Sequence, residues 1–211
     1  MHQLTLHYFP KSSCSRKVLL VLLYKGIPYD EIIVNLEQGQ QKSLDFLRLN
    51  PHGQVPVLQY RDHIIYDSAV INEFLEEKFP EPPLLPQDEV ERAKVRMSTV
   101  YADQVFYPHI SRILREFRKP VEQRNQPWIE TELAQFKNNA LLFLEQSLQK
   151  QANSFLFGSF TLADIAYAPG LDTLLCISGL TLEAYPATRV WLQTIRQLPA
   201  FRKTLSLSCS N

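Results

Sequence analysis

Residues 50–68, NPHGQVPVLQYRDHIIYDS, restrict the possible fold more than any other stretch of the chain. They read as extended chain, a Val-Pro step, a strand, a tight turn, a second strand and a helix start. Val55 precedes Pro56, and an X-Pro bond is the one place where a cis peptide costs little. A cis bond there would turn the Val55 N–H and C=O away from any ladder and leave them free for an extended ligand. Residues 57–60 and 63–66 are β-type runs around Arg61-Asp62, a hairpin pattern. Asp67-Ser68 stands just before Val70, Ile71, Phe74 and Leu75, which have helical spacing. The expected product is a peptide-like groove, with unpaired backbone at Val55 on one side. The other side has helix N–H groups, Ser68 and the Asp67 carboxylate, a pattern suited to an α-amino acid head.

Upstream, Leu4, Leu6 and Tyr8 alternate as in a strand, and Pro10 ends it. Val18, Leu19, Val21 and Leu22 recur at helical spacing until Gly26-Ile27-Pro28. Ile32-Ile33-Val34 is a second strand, and a helical crossover makes the pair parallel. Residues 36–49 read as a polar loop with a short helix at 44–49, and a helix covers 68–79. Pro80, Pro82, Pro83 and Pro86 then crowd seven positions, which no helix tolerates. After them strand signals nearly vanish. A helical pattern runs over 89–118, with a kink expected at Pro108, and another over 128–148. Thr161 and Asp164 form a capping-box variant with Phe160 as staple, and Tyr185-Pro186 opens a last helix. The chain divides into residues 1–80, a linker at 81–88, and an all-helical unit at 89–211.

Composition narrows the function. The 22 basic and 22 acidic residues cancel, which argues against nucleic acid or an anionic membrane as partner. No run approaches the roughly 20 apolar residues of a membrane span, and the short apolar run after Arg16-Lys17 lacks a signal peptide's length and cleavage site. Cys14, Cys176 and Cys209 are an odd number without a CxxC, so neither a disulfide framework nor a zinc site is indicated, and a reducing compartment fits. The five histidines show no metal-ligand spacing.

The turn Pro10-Lys-Ser-Ser-Cys-Ser-Arg16 joins the first strand to the first helix. Unpaired N–H groups and partial positive charge at that helix start welcome an anion and lower a thiol's pKa. A serine hydroxyl there can favour a thiolate by hydrogen bonding. The same serines also make ordinary caps, Cys14 is either a packing residue or a redox nucleophile, and Asp67-Ser68 also reads as a cap.

Together, Ser12-Ser13-Cys14-Ser15-Arg16, Asn50-Pro51-x-Gly-Gln54-Val55-Pro56, Asp67-Ser68 and Phe160-Thr-Leu-Ala-Asp164 with Tyr185-Pro186 and Trp191 resemble the cytosolic glutathione transferase family. The likeness covers essentially the whole chain and is of the serine type, as in the theta, delta and zeta classes. It implies an α/β thioredoxin-like N-terminal domain followed by an all-α helical-bundle C-terminal domain. It implies glutathione as co-substrate, with Val55 and Pro56 along its cysteine, Asp67 and Ser68 at its γ-glutamyl end, and Gln54 adding a polar contact. Gln41 and His52 are the candidates for its glycine carboxylate. Ser12 is the expected activating residue, with Ser13 as the alternative and Tyr8 as a mimic of the tyrosine-type classes. Tyr107 and Arg112 are expected to line the electrophile pocket. Members are usually cytoplasmic homodimers engaged in detoxification and need no metal. The expected activity is conjugation of the glutathione thiolate to small electrophiles. The alternatives are a maleylacetoacetate isomerase-like enzyme, a thiol–disulfide reductase using Cys14, and a non-catalytic binding or regulatory protein.

Overall fold

The computed structural model describes residues 3–151 and 154–205 of the 211. Two compact units divide it: among the described residues, 3–83 with 199–205, and 84–198. The boundary differs from the expected one at the C-terminus, since the last helix belongs with the first unit.

In the first unit, β1 (Leu4–Tyr8), α1 (Ser13–Lys25) and β2 (Asp30–Ile33) form a β-α-β unit. Then α2 (Leu44–Leu49), the hairpin of β3 (Val57–Tyr60) and β4 (His63–Tyr66), and α3 (Ser68–Lys78) follow. The sheet order is β2-β1-β3-β4, with β1 parallel to β2 and antiparallel to β3. Gly26 ends α1 at φ 64°, and its N–H returns to the carbonyls of Leu22 and Leu23. That left-handed cap suits a residue without Cβ. Phe46 of α2 packs with Val34, Val55 and Val57, and Phe9, Leu36, Leu49 and Ile64 close that cluster. This packing anchors the loop that precedes β3.

Helix α10 (Pro199–Leu205) returns to α1. Arg16 is completely buried; its Nε and Nη2 donate to Thr204 Oγ1 at 3.4 Å, and its guanidinium lies 5.3 Å over the Phe201 ring. The arginine of the serine-rich turn therefore fastens the C-terminal helix.

The second unit holds α4 (Glu89–Tyr101), α5 (Tyr107–Phe117), α6 (Gln126–Phe136), α7 (Leu142–Gln149), α8 (Leu162–Ser178) and α9 (Pro186–Gln197). The disturbance expected at Pro108 takes the form of a π turn over Ala102–Phe106, in which Tyr107 N–H bonds back to the Ala102 carbonyl. Pro108 has no N–H to return and its ring crowds the preceding turn, so widening that turn by one residue relieves both problems. A second π turn, Lys137–Leu141, interrupts the 128–148 pattern. Phe106 meets Phe136 and Tyr167 edge-on at 5.0 and 4.9 Å between centroids, the favoured aromatic geometry. Fully buried Asp164 accepts from Thr161 N–H at 2.9 Å, Leu156 N–H at 3.1 Å and Trp191 Nε1–H at 2.8 Å. The capping box thus also pins the preceding loop and α9. No described helix is long and apolar enough to cross a membrane.

Candidate functional site

Strand register assembles the site. His7 pairs with Val57, and Val57 with Tyr66. The turn after β1, the Val55–Pro56 step before β3 and Asp67 after β4 therefore emerge at one end of the sheet. Three segments separated by up to about 55 positions in sequence are brought together by two antiparallel ladders and no disulfide.

The first segment is a self-braced turn. Ser12 N–H donates to the Phe9 carbonyl at 2.9 Å, and Ser15 Oγ accepts from Phe9 N–H at 3.3 Å. Ser12 is the N-cap of α1, and its Oγ accepts from Ser15 N–H at 3.3 Å. The cap reading and the functional reading coexist, because a hydroxyl that accepts at its oxygen still has its hydrogen to donate. Ser12 and Ser13 are both buried, Cys14 is half-buried, and Ser13 has a polar or electrostatic partner of its own. Tyr8 is not arranged like a thiolate-stabilising tyrosine. Its hydroxyl donates to Glu31 at 2.6 Å, and burial, followed by that bond and charge, pushes its pKa well above the ordinary range.

The second segment is held by Asn50. Its Nδ2 donates to the Gln54 carbonyl at 2.8 Å, and its Oδ1 accepts from His52 N–H at 3.0 Å. Gly53 has φ 60°, and a Cβ there would stand 2.9 Å from the Gln41 carbonyl oxygen and 2.9 Å from Lys42 Nζ. Only glycine fits, and the contact brings Gln41 and Lys42 to the same loop as His52 and Gln54. The His52 ring stands edge-on to Tyr66 at 5.8 Å. The Val55–Pro56 bond is cis, as is Glu81–Pro82. The β3 ladder starts at Val57, so the Val55 backbone lies outside it among the described residues.

At the third segment, Asp67 has φ 74°, rare for a residue with a side chain and costing on the order of 1–3 kcal/mol. Its Oδ1 accepts from Ala69 N–H at 2.9 Å and Val70 N–H at 3.3 Å. The expectation that helix N–H groups face a ligand is corrected here, since the cap occupies two of them. The buried Ser68, with its N–H and hydroxyl, is what α3 has left to offer.

Tyr107 and Arg112 belong to the other unit, on α5. The Tyr107 ring packs on Gly170 of α8, where a Cβ would stand 3.5 Å away. Arg112, expected to line the electrophile pocket, is paired with an acidic side chain. Its Nε donates to Glu132 of α6 at 2.8 Å, and the same carboxylate lies 2.8 Å from His109 Nδ1. That cluster joins α5 to α6, and the guanidinium is already neutralised. His2 and Cys209 lie outside the described residues. Lys42, not among the candidates read from the sequence, stands beside Gln41 at the Gly53 turn. The signal available was its charge: Lys42 and Arg48 are the two cations between positions 36 and 49.

The glutathione S-transferase N-terminal domain family matches residues 11–78, and the C-terminal domain family matches residues 106–199. The chain belongs to the glutathione S-transferase family. Across 96% of this chain and 91% of its own length, glutathione S-transferase Z1 of Arabidopsis thaliana is 32% identical. Maleylacetoacetate isomerase of Pseudomonas aeruginosa is 31% identical over 94% of this chain and 93% of its own. A solved structure described as maleyl pyruvate isomerase, a bacterial glutathione S-transferase of the zeta class, superposes with a TM-score of 0.83 at 28% identity, covering 95% of each chain. The described residues carry the family's two parts, a small four-stranded sheet with helices followed by an all-helical unit. The C-terminal family match ends at Pro199, the first residue of α10, so the rest of the helix that Arg16 fastens lies beyond the matched segments.

Proposed function

We propose that this protein is a zeta-like glutathione transferase: Ser12 holds the glutathione thiolate, and that thiolate attacks a small electrophile. The observation that carries the reading is the register that brings the Ser12 turn, the free Val55 backbone and Asp67–Ser68 to one sheet end in a chain of this family. Val55 pairs with the backbone of the tripeptide's cysteine beside Pro56. Asp67 takes the ammonium of the γ-glutamyl end through the oxygen its cap bonds leave, and Ser68 takes the carboxylate. Lys42, Gln41 and His52 hold the glycine carboxylate, and Gln54 adds a polar contact. The Ser12 hydroxyl donates to sulfur, and the positive end of α1 favours the anion. The thiol proton leaves to solvent, the sulfur forms a bond to carbon, and a leaving group such as halide departs. The protein's part is orientation and a depressed thiol pKa. Tyr107 is retained as an electrophile-pocket residue; Arg112 is not, being committed to Glu132. Among the described residues Cys14 and Cys176 form no disulfide, which fits a cytoplasmic setting, and we read the working form as a homodimer engaged in detoxification.

A second reading is favoured by the names of its relatives: cis–trans isomerisation of a maleyl compound. There the thiolate adds to the double bond, the new single bond rotates, and thiolate is expelled, so glutathione is regenerated. The same site serves both reactions.

The test is Ser12→Ala, assayed for conjugation of an aromatic halide and for isomerisation of a maleyl compound. Turnover of whichever reaction the wild type performs should fall about 100-fold, the loss typical of one donor at developing charge. Retention on immobilised glutathione should change less than about twofold. Unchanged turnover removes Ser12 from the role.

A further inference from the structure

Lys25, the last residue of α1, has no exposed side-chain surface. Its Nζ lies 2.6 Å from Glu76 Oε2 and donates to the carbonyls of Phe79 at 2.8 Å and Pro82 at 2.7 Å. Two of the ammonium's donors go to these carbonyls, and the Glu76 carboxylate meets its charge as a close ion pair. Glu76 sits in the last turns of α3 and Phe79 is its C-cap. The cluster therefore joins the far end of α1 to the far end of α3. These are the two helices whose opposite ends carry Ser12 and Asp67–Ser68.

Apolar packing between α1 and α3 is not directional, whereas charge-assisted hydrogen bonds fix geometry. The 13-residue α1 and 11-residue α3 are stiff rods, and a slip of one residue moves a helix by about 1.5 Å along its axis. Fixing their C-terminal ends fixes where their N-terminal ends stand. We propose that Lys25, together with Glu76, is a positioning residue that sets α1 against α3, and with them the Ser12 hydroxyl against the γ-glutamyl site. This rests on the function proposed above and assigns that site a part of the chain about 20 Å from it along α1.

The experiment compares wild type, Lys25→Met and Lys25→Arg. Each is measured by steady-state kinetics with glutathione and an aromatic halide, and by the ultraviolet absorbance of protein-bound glutathione thiolate. A misplacement of about 1 Å costs up to about 100-fold in rate. Lys25→Met is expected to lose about tenfold in kcat/KM, mostly in kcat, with a weaker thiolate signal, while circular dichroism stays native. Lys25→Arg should recover most of both. Should Lys25→Met strand the Glu76 charge and unfold, the double variant Lys25→Met with Glu76→Met leaves no charge unpaired, and the same two losses are expected of it. Folded variants with wild-type kcat/KM and thiolate signal overturn the positioning role and leave the cluster a stabilising one. A wild type with neither thiolate signal nor turnover overturns the functional reading and this inference together.

Discussion

The Ser12 hydroxyl caps α1 through its oxygen, and in the function proposed above its hydrogen is what it offers a ligand. That economy explains why the serine-rich turn is ambiguous in sequence, since a cap and a thiolate donor call for the same residue at the same place. Gly53 is the other decisive residue. Its positive φ and the 2.9 Å approach of the Gln41 carbonyl leave no room for a side chain. Gly53→Ala should cost about 1–3 kcal/mol of stability and raise the KM for glutathione, because the clash displaces Gln41, Lys42 and His52. Thermal melts and a glutathione titration check both. A variant with wild-type melting and KM would show that the loop yields without consequence. At this scale the sequence disclosed residue types but not their partners. Ser12 and Asp67 were legible as helix caps from turn and cap chemistry. The pairing of Arg112 with Glu132 was not, because the partners come from two helices 20 positions apart and depend on how α5 packs on α6.

Among the elements, α9 shows most plainly how a buried charge fixes a helix. Glu145 of α7 accepts from Ala187 N–H at 3.0 Å, from Thr188 N–H at 2.8 Å and from the Thr188 hydroxyl at 2.8 Å. Burial pushes its pKa up, but these donors, with Gln149, more than offset that and hold the carboxyl below its usual range. A lowered pKa contributes stability above the unfolded value, about 4.3, and that contribution is lost as pH falls through the folded value. Glu145→Gln turns an amide N–H₂ toward backbone donors and should cost about 1–3 kcal/mol at neutral pH. The gap between the two proteins should narrow below about pH 4.3, as read from denaturant melts across pH. A gap independent of pH would remove the carboxylate from the account. Element boundaries were legible wherever local chemistry sets them: the 57–60 and 63–66 hairpin strands, the 44–49 helix and the Thr161 start all stand where turn and cap residues put them. The π turn at 137–141 was not, since no proline or glycine marks it.

For the molecule as a whole, the proline cluster separated a mixed α/β part from a helical part in sequence, and the chain does divide close to it. What the sequence hid is the return of α10, which is short and whose attachment depends on a buried arginine almost 190 positions away. Arg16 looked like part of a ligand turn and is a structural tie. The claim at the centre is that one end of a small sheet, built from the Ser12 turn, Val55 and Asp67–Ser68, holds a tripeptide thiol. A crystal structure of the protein with reduced glutathione tests it most directly. The tripeptide backbone should pair with Val55, its γ-glutamyl end should meet Asp67 and Ser68, and its sulfur should lie about 3 Å from Ser12 Oγ. Glutathione bound elsewhere, or its sulfur directed to Cys14 and away from Ser12, would contradict the account.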